Sequence, residues 1–309
     1  MRKGILLTVF AIIATLGLMG GIGWAIYQQL ADTEVSVKLE TPLTTTYRSE
    51  RDITYCSPGG MAQKLDLHIP DSTKQYPLLV YVHGGGWYAG SKESAVATDY
   101  ISEVARLGYV VASINYRLVP EYTFPSQIED TKCAIRFLRA NADKYQIDAA
   151  RVGILGESAG GYLAALAGTS GNNTTFKTAE YAAESDDVQA VVDLFGPTTF
   201  VGTTASASAT RMAKNFLGTA DPTAASAGTY ATQDDPPFLI VHGDADKTVP
   251  LEQSQLLHAQ LQQVGVSSEL LVVRNGGHGL SITDGQPLTP NLGNVRGSIT
   301  AFLARHLKQ

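Results

Sequence analysis

The sequence predicts an α/β domain in which helices cover both faces of a mostly parallel sheet of about eight strands. From about residue 51, short β-branched runs alternate with helical stretches, as in successive βαβ units. The later runs are apolar throughout, which is typical of parallel strands buried on both faces. The expected strands are Asp52–Cys56, Leu65–Ile69, Leu78–Val82, Val110–Asn115, Val152–Leu155, Ala190–Leu194, Phe238–Val241 and Glu269–Val273. The expected helices are Ser94–Leu107, Ile128–Ala142, Gly161–Ala167, Leu251–Gln263 and Gly297–His306.

Composition excludes several classes of protein. Of the 309 residues, 44% are hydrophobic and 17% charged, so the chain has enough apolar surface to form a core and is not intrinsically disordered. The net charge is −6 and no long basic run occurs, which argues against nucleic acid as a partner. Cys56 and Cys133 lack the spacing of a zinc site. A disulfide between them is one alternative, but we expect a buried free thiol at Cys133.

The first 27 residues are expected to form a membrane anchor. Arg2 and Lys3 precede a run of 24 residues without a charged side chain, which is long enough to span a bilayer. The basic flank places the N-terminus in the cytoplasm, so the folded domain would lie outside the cell membrane on a single-pass anchor. The alternative is a signal peptide whose cleavage releases a secreted protein. Residues 28–50 are expected to be a tether, and residues 51–309 the folded domain.

A serine lies between a predicted strand and a predicted helix. Ser158 occupies the middle of a G-x-S-x-G string, Gly156 to Gly160, a pattern typical of a nucleophile elbow in which glycines permit a sharp turn. The alternative is a glycine-rich structural turn. A nucleophilic serine needs a base, and the base needs a carboxylate that orients it.

Two later strand ends carry candidates for these partners. His278 lies in a glycine-rich loop after the last predicted strand, and Asp244 and Asp246 follow the strand before it. We expect Asp246 to orient His278, because it lies deeper in its loop, whereas Asp244 directly follows a glycine turn and can stabilise that turn. The predicted catalytic residues are therefore Ser158, Asp246 and His278.

An oxyanion hole is predicted from a glycine-rich string after an earlier strand. In His83-Gly84-Gly85-Gly86-Trp87 the missing side chains let backbone N–H groups approach a substrate. We expect the N–H groups of Gly84, Gly85 and Ala159 to form the hole. Trp87 and Tyr88 are candidates for lining the substrate site, and packing beneath the glycine loop is the alternative.

The strings HGGGW, GESAGG, HGDADKTVP and GGHG, in this order, give the chain a family resemblance. Over residues 51–309 it resembles an α/β-hydrolase of the esterase/lipase type, close to the hormone-sensitive-lipase-like and feruloyl-esterase-like carboxylesterases. Asn115–Glu121 is similar to the YRLAPE stretch of that family. In the lipase-like branch Asp usually stands at the position of Glu157, which we count as a substrate-binding candidate. His83 is usually structural in this family.

The resemblance implies an α/β-hydrolase fold and a serine carboxylesterase that cleaves short-chain esters through an acyl-enzyme. No metal and no organic cofactor is expected, and the partner is a small-molecule ester; acetylated or feruloylated carbohydrate is the narrower expectation. Residues 196–236 form either a short cap over the pocket or an ordinary connection with one helix. Two rival functions are a serine peptidase or amidase of the same fold and a non-catalytic, membrane-tethered binding protein. Both monomer and homodimer remain open.

Overall fold

The computed structural model describes residues 46–171, 173–202 and 207–308. The expected membrane anchor, residues 1–27, and the expected tether up to residue 45 lie outside this part of the chain. Within the described residues, no helix is both long enough and apolar enough to cross a bilayer.

One sheet of eight strands forms the centre of the domain, as predicted. Its order is β1-β2-β4-β3-β5-β6-β7-β8, with antiparallel pairs at β1–β2 and β2–β4 and parallel pairs from there to β8. The strands are β1 (Tyr47–Cys56), β2 (Gln63–Pro70), β3 (Tyr76–Val82), β4 (Val110–Ile114), β5 (Ile147–Glu157), β6 (Ala190–Leu194), β7 (Phe238–Gly243) and β8 (Ser268–Val273).

Two strands, β1 and β5, begin five residues earlier than the sequence predicts. β1 begins at Tyr47 rather than at Asp52, so residues 47–50 of the expected tether are part of the sheet. This half of β1 pairs with β2 at the sheet edge and is mostly exposed, with charged residues at Arg48 and Glu50, so no apolar run marks it. β5 begins at Ile147 rather than at Val152. The first half of this strand is polar and pairs with β3 only briefly before a register shift, so no apolar run marks it in the sequence.

Helices cover both faces of this sheet, as predicted. Successive side chains of β3 alternate between two apolar clusters: Leu78 and Val80 lie in one, and Leu79 and Tyr81 in the other. Helices α2, α3 and α6 contribute to the first cluster, and α1 and α7 to the second. The helices are α1 (Ala95–Arg106), α2 (Ser126–Ala140), α3 (Ala159–Thr169), α4 (Ala207–Leu217), α5 (Pro222–Ala225), α6 (Glu252–Gln263) and α7 (Leu292–Leu307).

Two of these helices, α4 and α5, were not located by the sequence, which left a connection with one helix as an alternative for this part of the chain. Both lie in the segment 196–236, where small residues blur the apolar period of a helix. α5 begins after Asp221, whose carboxylate accepts a hydrogen bond from the N–H of Thr223. A similar cap begins α7 at Leu292 instead of at the predicted Gly297, since the Asn291 side chain accepts from the N–H of Asn294.

The two cysteines form a disulfide, so the expectation of a free thiol at Cys133 was wrong. Cys56 ends β1 and Cys133 lies on α2, and the packing of α2 against β1 brings their Cα atoms to 6.5 Å, within disulfide range. The sequence does not reveal which face of α2 meets β1. Among the described residues, these cysteines and Glu180 are the group closest to a metal-binding arrangement, but both sulfurs belong to the disulfide.

Helix α2 also buries charged side chains in ion pairs. Lys132 and Arg136, both fully buried, bind the two carboxylate oxygens of Asp186 at 2.9 and 2.7 Å. At the start of the helix, Glu129 and Asp130 both bind the Arg117 guanidinium. These three side chains form an ion-pair network at the start of the helix.

We expect the disulfide to contribute substantially to stability, because it closes a loop of 77 residues between β1 and α2. Replacing both cysteines with Ala should lower the free energy of unfolding by about 2–5 kcal/mol, measured by urea denaturation. The wild-type chain with added reductant is the control and should lose a similar amount. An unchanged midpoint in both samples would contradict this expectation.

Candidate active site

Ser158 lies at a strained turn between β5 and α3. Its φ of +52° and ψ of −117° are unfavourable for a residue with a side chain. The neighbouring glycines make this turn sterically feasible: a Cβ at Gly156 would lie 2.1 Å from the carbonyl oxygen of Gly160, and a Cβ at Gly160 would lie 2.1 Å from that of Val82. The backbone N–H of Ser158 donates to the carbonyl of Leu194 on β6. The geometry is that of the predicted nucleophile elbow.

The structure brings the imidazole of His278 between the other two predicted residues. Nε2 lies 2.9 Å from Ser158 Oγ, and Nδ1 lies 2.7 Å from Asp246 Oδ2. Because an ionised carboxylate only accepts hydrogen bonds, the ring carries its proton on Nδ1, which leaves Nε2 as the acceptor for the serine hydroxyl. The ring edge also packs against Phe195. The three residues follow β5, β7 and β8, whose carboxyl ends share one edge of the sheet.

The carboxylate of Asp246 is buried and accepts hydrogen bonds on both oxygens. Oδ1 accepts from the backbone N–H groups of Thr248 and Val249 at 2.7 and 2.9 Å, and Oδ2 accepts from His278. Burial raises the pKa of Asp246, but hydrogen bonds from His242 and His278 outweigh it and hold the pKa well below its ordinary value. Asp244, the alternative, instead accepts from the N–H of Asn275 and so joins two loops.

His242 supports this carboxylate, a role that the sequence analysis did not assign. The ring is fully buried at the end of β7, and its Nε2 donates to the Val249 carbonyl while lying 3.4 Å from Asp246 Oδ2. Its Nδ1 lies 2.7 Å from Ser254 Oγ. A second histidine therefore fixes the loop that carries Asp246. The string HGDAD contains both residues and was the available indication.

The glycine loop after β3 passes close to Ser158. A Cβ at Gly84 would lie 3.1 Å from the Glu157 carbonyl oxygen and 3.4 Å from Ser158 Cβ, so a side chain at this position would crowd the backbone next to the serine. Gly85 has a φ of +116°, and a Cβ there would lie 2.1 Å from the Ala89 carbonyl oxygen. Among the described residues, the N–H groups of Gly84 and Gly85 have no backbone acceptor. Ala159 begins α3, so its N–H also has no acceptor within the helix.

His83 holds this loop from the side opposite the serine. Its Nδ1 donates to the Gly84 carbonyl at 2.6 Å, and its ring stacks on Tyr116 at 4.3 Å. The Tyr116 hydroxyl in turn donates to the His83 carbonyl. Burial lowers the pKa of His83 to about 4, so the ring is neutral at physiological pH.

A cavity of about 380 Å³ opens beside Ser158. Trp87 lines it and is stacked on the fully buried Phe216 at 4.2 Å, so the packing role and the lining role both apply to this side chain. Much of the wall comes from the segment 196–236, including α4 and α5. The lining residues from this segment are Pro197, Thr199, Phe200, Ala209, Thr210, Met212, Ala213, Lys214, Leu217, Gly218, Ala220 and Pro222.

Comparison with known proteins identifies the family of the chain. A family model described as BD-FAE matches residues 65–261, more than half of the chain. The chain belongs to the BD-FAE family. Esterase LipC of Mycobacterium tuberculosis is 32% identical over 71% of this chain and 56% of its own length. The chain thus spans about half the length of the curated relatives that it matches.

Two solved structures share both the fold and part of the sequence of this BD-FAE chain. A truncated form of a carbohydrate esterase from gut microbiota is 28% identical, with a TM-score of 0.75, and the match covers 87% of this chain and 99% of that one. A bifunctional GH43-CE protein of Bacteroides eggerthii is 30% identical, with a TM-score of 0.72, over 84% of this chain and 38% of that one. The fold is thus an α/β-hydrolase fold, as the resemblance implied.

Two candidates for substrate binding in this BD-FAE chain lie elsewhere. Tyr88 is not among the residues that line the cavity beside Ser158; it is 59% exposed and lines a neighbouring depression, because the loop turns away after Trp87. The carboxylate of Glu157 accepts a hydrogen bond from the Tyr81 hydroxyl at 2.8 Å and is also absent from the cavity wall. Neither side chain therefore lines the cavity beside Ser158, and the assignment of both to substrate binding stays a prediction.

We expect His83 to make this BD-FAE chain less stable in acid. The unfolded chain protonates this ring near pH 6.5, whereas the folded chain resists protonation down to about pH 4, so stability falls as the pH drops between these values. The loss attributable to His83 is about 3 kcal/mol at pH 4. In urea denaturation from pH 7 to pH 4, His83→Gln should lose less stability than wild type. Equal losses in the two proteins would contradict this assignment.

Proposed function

We propose that this protein is a serine carboxylesterase that hydrolyses short-chain carboxylic esters. The observation that carries the proposal is the continuous line of hydrogen bonds from Asp246 through His278 to Ser158 Oγ, at 2.7 and 2.9 Å. Such a line supplies the general base and the orienting carboxylate that a serine nucleophile requires. The esterase named among the relatives and the carbohydrate esterase among the solved structures support the same reaction class.

In the first half of the reaction, Ser158 Oγ attacks the ester carbonyl while His278 Nε2 takes the hydroxyl proton. Asp246 stays ionised and stabilises the imidazolium that forms, which its low pKa favours. The N–H groups of Gly84, Gly85 and Ala159 donate to the oxyanion that develops on the carbonyl oxygen. His278 then gives its proton to the leaving alcohol as the carbonyl–oxygen bond breaks, which leaves the acyl group on Ser158.

In the second half, water replaces the alcohol. His278 takes a proton from the water as its oxygen attacks the acyl-enzyme, and the same N–H groups hold the second oxyanion. The proton then returns to Ser158 Oγ, which releases the carboxylic acid and restores the enzyme. The strained elbow keeps Oγ exposed in front of His278 through both halves of the cycle.

The cavity favours small acyl groups. Trp87 is stacked on the buried Phe216, Phe200 packs against Trp87 with ring centroids 6.0 Å apart, and the rings of Trp87 and Phe200 limit the space next to Ser158. A volume of about 380 Å³, shared between the acyl group and part of the alcohol, suits short chains better than long ones. The carbohydrate esterase among the similar structures supports a sugar as the alcohol, hence an acetylated carbohydrate as the narrower proposal.

We also propose that residues 1–27 anchor the catalytic domain to the outer side of the cell membrane. The uncharged run after Arg2 and Lys3 supports a membrane helix, and the disulfide between Cys56 and Cys133 supports an oxidising compartment. Fractionation of cells that produce the full chain tests this. Recovery in the membrane fraction would favour the anchor, and recovery in the medium would favour the cleaved signal peptide.

The function is tested with nitrophenyl esters from acetate to laurate, together with aminoacyl nitroanilides. We expect kcat/KM to be highest for acetate or butyrate and to fall towards laurate, and Ser158→Ala to lower kcat by about 10⁴-fold or more without loss of fold. Ser57→Ala, at an exposed serine, is the matched control and should retain full activity. Cleavage of the anilides would favour the peptidase alternative, and silence on both substrates would favour a binding protein.

The role of Asp246 is tested by its amide. Asp246→Asn keeps the size of the side chain, but an amide can neither hold the His278 proton on Nδ1 nor stabilise an imidazolium. We therefore expect kcat to fall by about 10³- to 10⁴-fold with little change in KM. The matched control is Asp244→Asn, two residues away, whose amide oxygen can still accept from Asn275. A similar loss of kcat in the two variants would reject the assignment of Asp246 as the orienting acid.

A further inference from the structure

A second depression lies on the other side of the glycine loop. Residues 83–91 line both concavities: Gly86 and Trp87 belong to the cavity beside Ser158, and His83 and Tyr88 belong to a depression of about 420 Å³. The remaining walls of this depression come from the segments 61–63 and 115–122. The hydrolytic reaction described above uses none of the side chains in it.

Three polar side chains that line the depression, Gln63, His83 and Arg117, have hydrogen-bonding atoms without a partner among the described residues. Gln63 is 6% exposed, and its amide has no hydrogen-bond partner among the described residues. His83 is 1% exposed, and its Nδ1 is taken by the Gly84 carbonyl, which leaves Nε2 with a free lone pair. Arg117 donates from Nε and Nη2 to Asp130, Glu129 and the Ser126 carbonyl. Its Nη1 has no hydrogen-bond acceptor among the described residues and can donate to a ligand.

These groups fit a neutral ligand with several hydroxyls. The free nitrogen of His83 requires a donor, the Gln63 amide offers a donor and an acceptor, and Arg117 offers a donor. The charge of Arg117 is already compensated by Asp130 and Glu129 at 2.9 and 3.0 Å, so the depression has no uncompensated cation to hold a phosphate or a carboxylate. A ligand with several hydroxyls supplies hydrogen-bond partners to all three groups at once.

An exposed aromatic ring borders this polar floor. Tyr88 is 59% exposed, more than any other exposed aromatic side chain among the described residues. The ring of Tyr122 also lines the depression, but the Arg117 guanidinium lies 5.4 Å from its centroid and covers one face. Tyr88 thus offers an apolar face next to hydrogen-bonding groups. A pyranose ring has the complementary shape, with C–H groups on one face and hydroxyls around its edge.

We propose that this depression binds a neutral sugar unit, stacked on Tyr88 and hydrogen-bonded to Gln63, His83 and Arg117. The glycine loop separates it from the cavity beside Ser158, so the unit bound here is not the one that carries the ester. The proposal therefore rests on the proposed esterase function, which it deepens: the alcohol part of the substrate is an oligosaccharide that continues across the loop.

The test is binding of unesterified trisaccharides, xylotriose and maltotriose, to the full chain in detergent, measured by saturation-transfer NMR. We expect saturable millimolar binding of at least one of them. Tyr88→Ala should weaken it by about tenfold or more, whereas Tyr88→Phe, which keeps the ring, should retain it. Gln63→Leu, which removes the amide at similar size, should also weaken binding. Tyr181→Ala is the matched control, since this exposed tyrosine lines neither concavity.

Three outcomes would overturn the proposal: no binding of either sugar, equal binding by wild type and folded Tyr88→Ala, or competitive inhibition of nitrophenyl acetate hydrolysis at the binding concentration, which would place the sugar beside Ser158. Because the trisaccharides carry no ester, binding is measured independently of catalysis. A protein that binds the sugar through Tyr88 but cleaves no ester would refute the proposed function and leave the site itself standing.

Discussion

Backbone crowding around Ser158 is the constraint on which the rest of the site depends. The turn between β5 and α3 passes so close to the end of β3 that a Cβ at Gly160 would lie 2.1 Å from the Val82 carbonyl oxygen. Gly84 also lies against the serine, and Ser158 itself has a positive φ. Strain of this kind persists only where the surroundings over-determine it. Here the flanking parallel strands and the hydrogen bond from Ser158 N–H to Leu194 supply that rigidity.

The acid side of the site depends on buried hydrogen bonds rather than on backbone crowding. Asp246 is desolvated, which by itself would favour the neutral carboxylic acid, yet it is held ionised by two backbone N–H groups and two histidines. The two histidines have different roles. His242 is fully buried and hydrogen-bonded to Val249 and Ser254, whereas His278 is partly exposed and faces the serine. A fixed carboxylate can then orient the ring that moves protons.

The loop from His83 to Ser91 connects this chemistry to the neighbouring surface. One side presents backbone N–H groups and Trp87 towards the serine, and the other presents the His83 ring and Tyr88 to the second depression. His83 belongs to both, because one nitrogen holds the Gly84 carbonyl and the other faces the depression. A histidine that maintains the loop is thereby also available to a ligand on its far side.

The sequence by itself determined the eight-stranded α/β fold and the identity of the residues around Ser158. Glycines at a strand-to-helix turn, and an aspartate and a histidine at later strand ends, are local patterns, and the carboxyl ends of parallel strands necessarily share one sheet edge. Those patterns were sufficient to choose Asp246 over Asp244, a choice with which the hydrogen bonds agree.

Only the tertiary structure decided the contacts between segments that are distant in sequence. The pairing of Cys56 with Cys133 depends on which face of α2 meets β1, and the ties of Glu157 to Tyr81 and of His242 to Ser254 depend on packing across strands and helices. The position of Tyr88 depends on how the loop turns after Trp87. A one-dimensional pattern specifies which side chains are available, but the direction in which each one points is set by the packing of its neighbours.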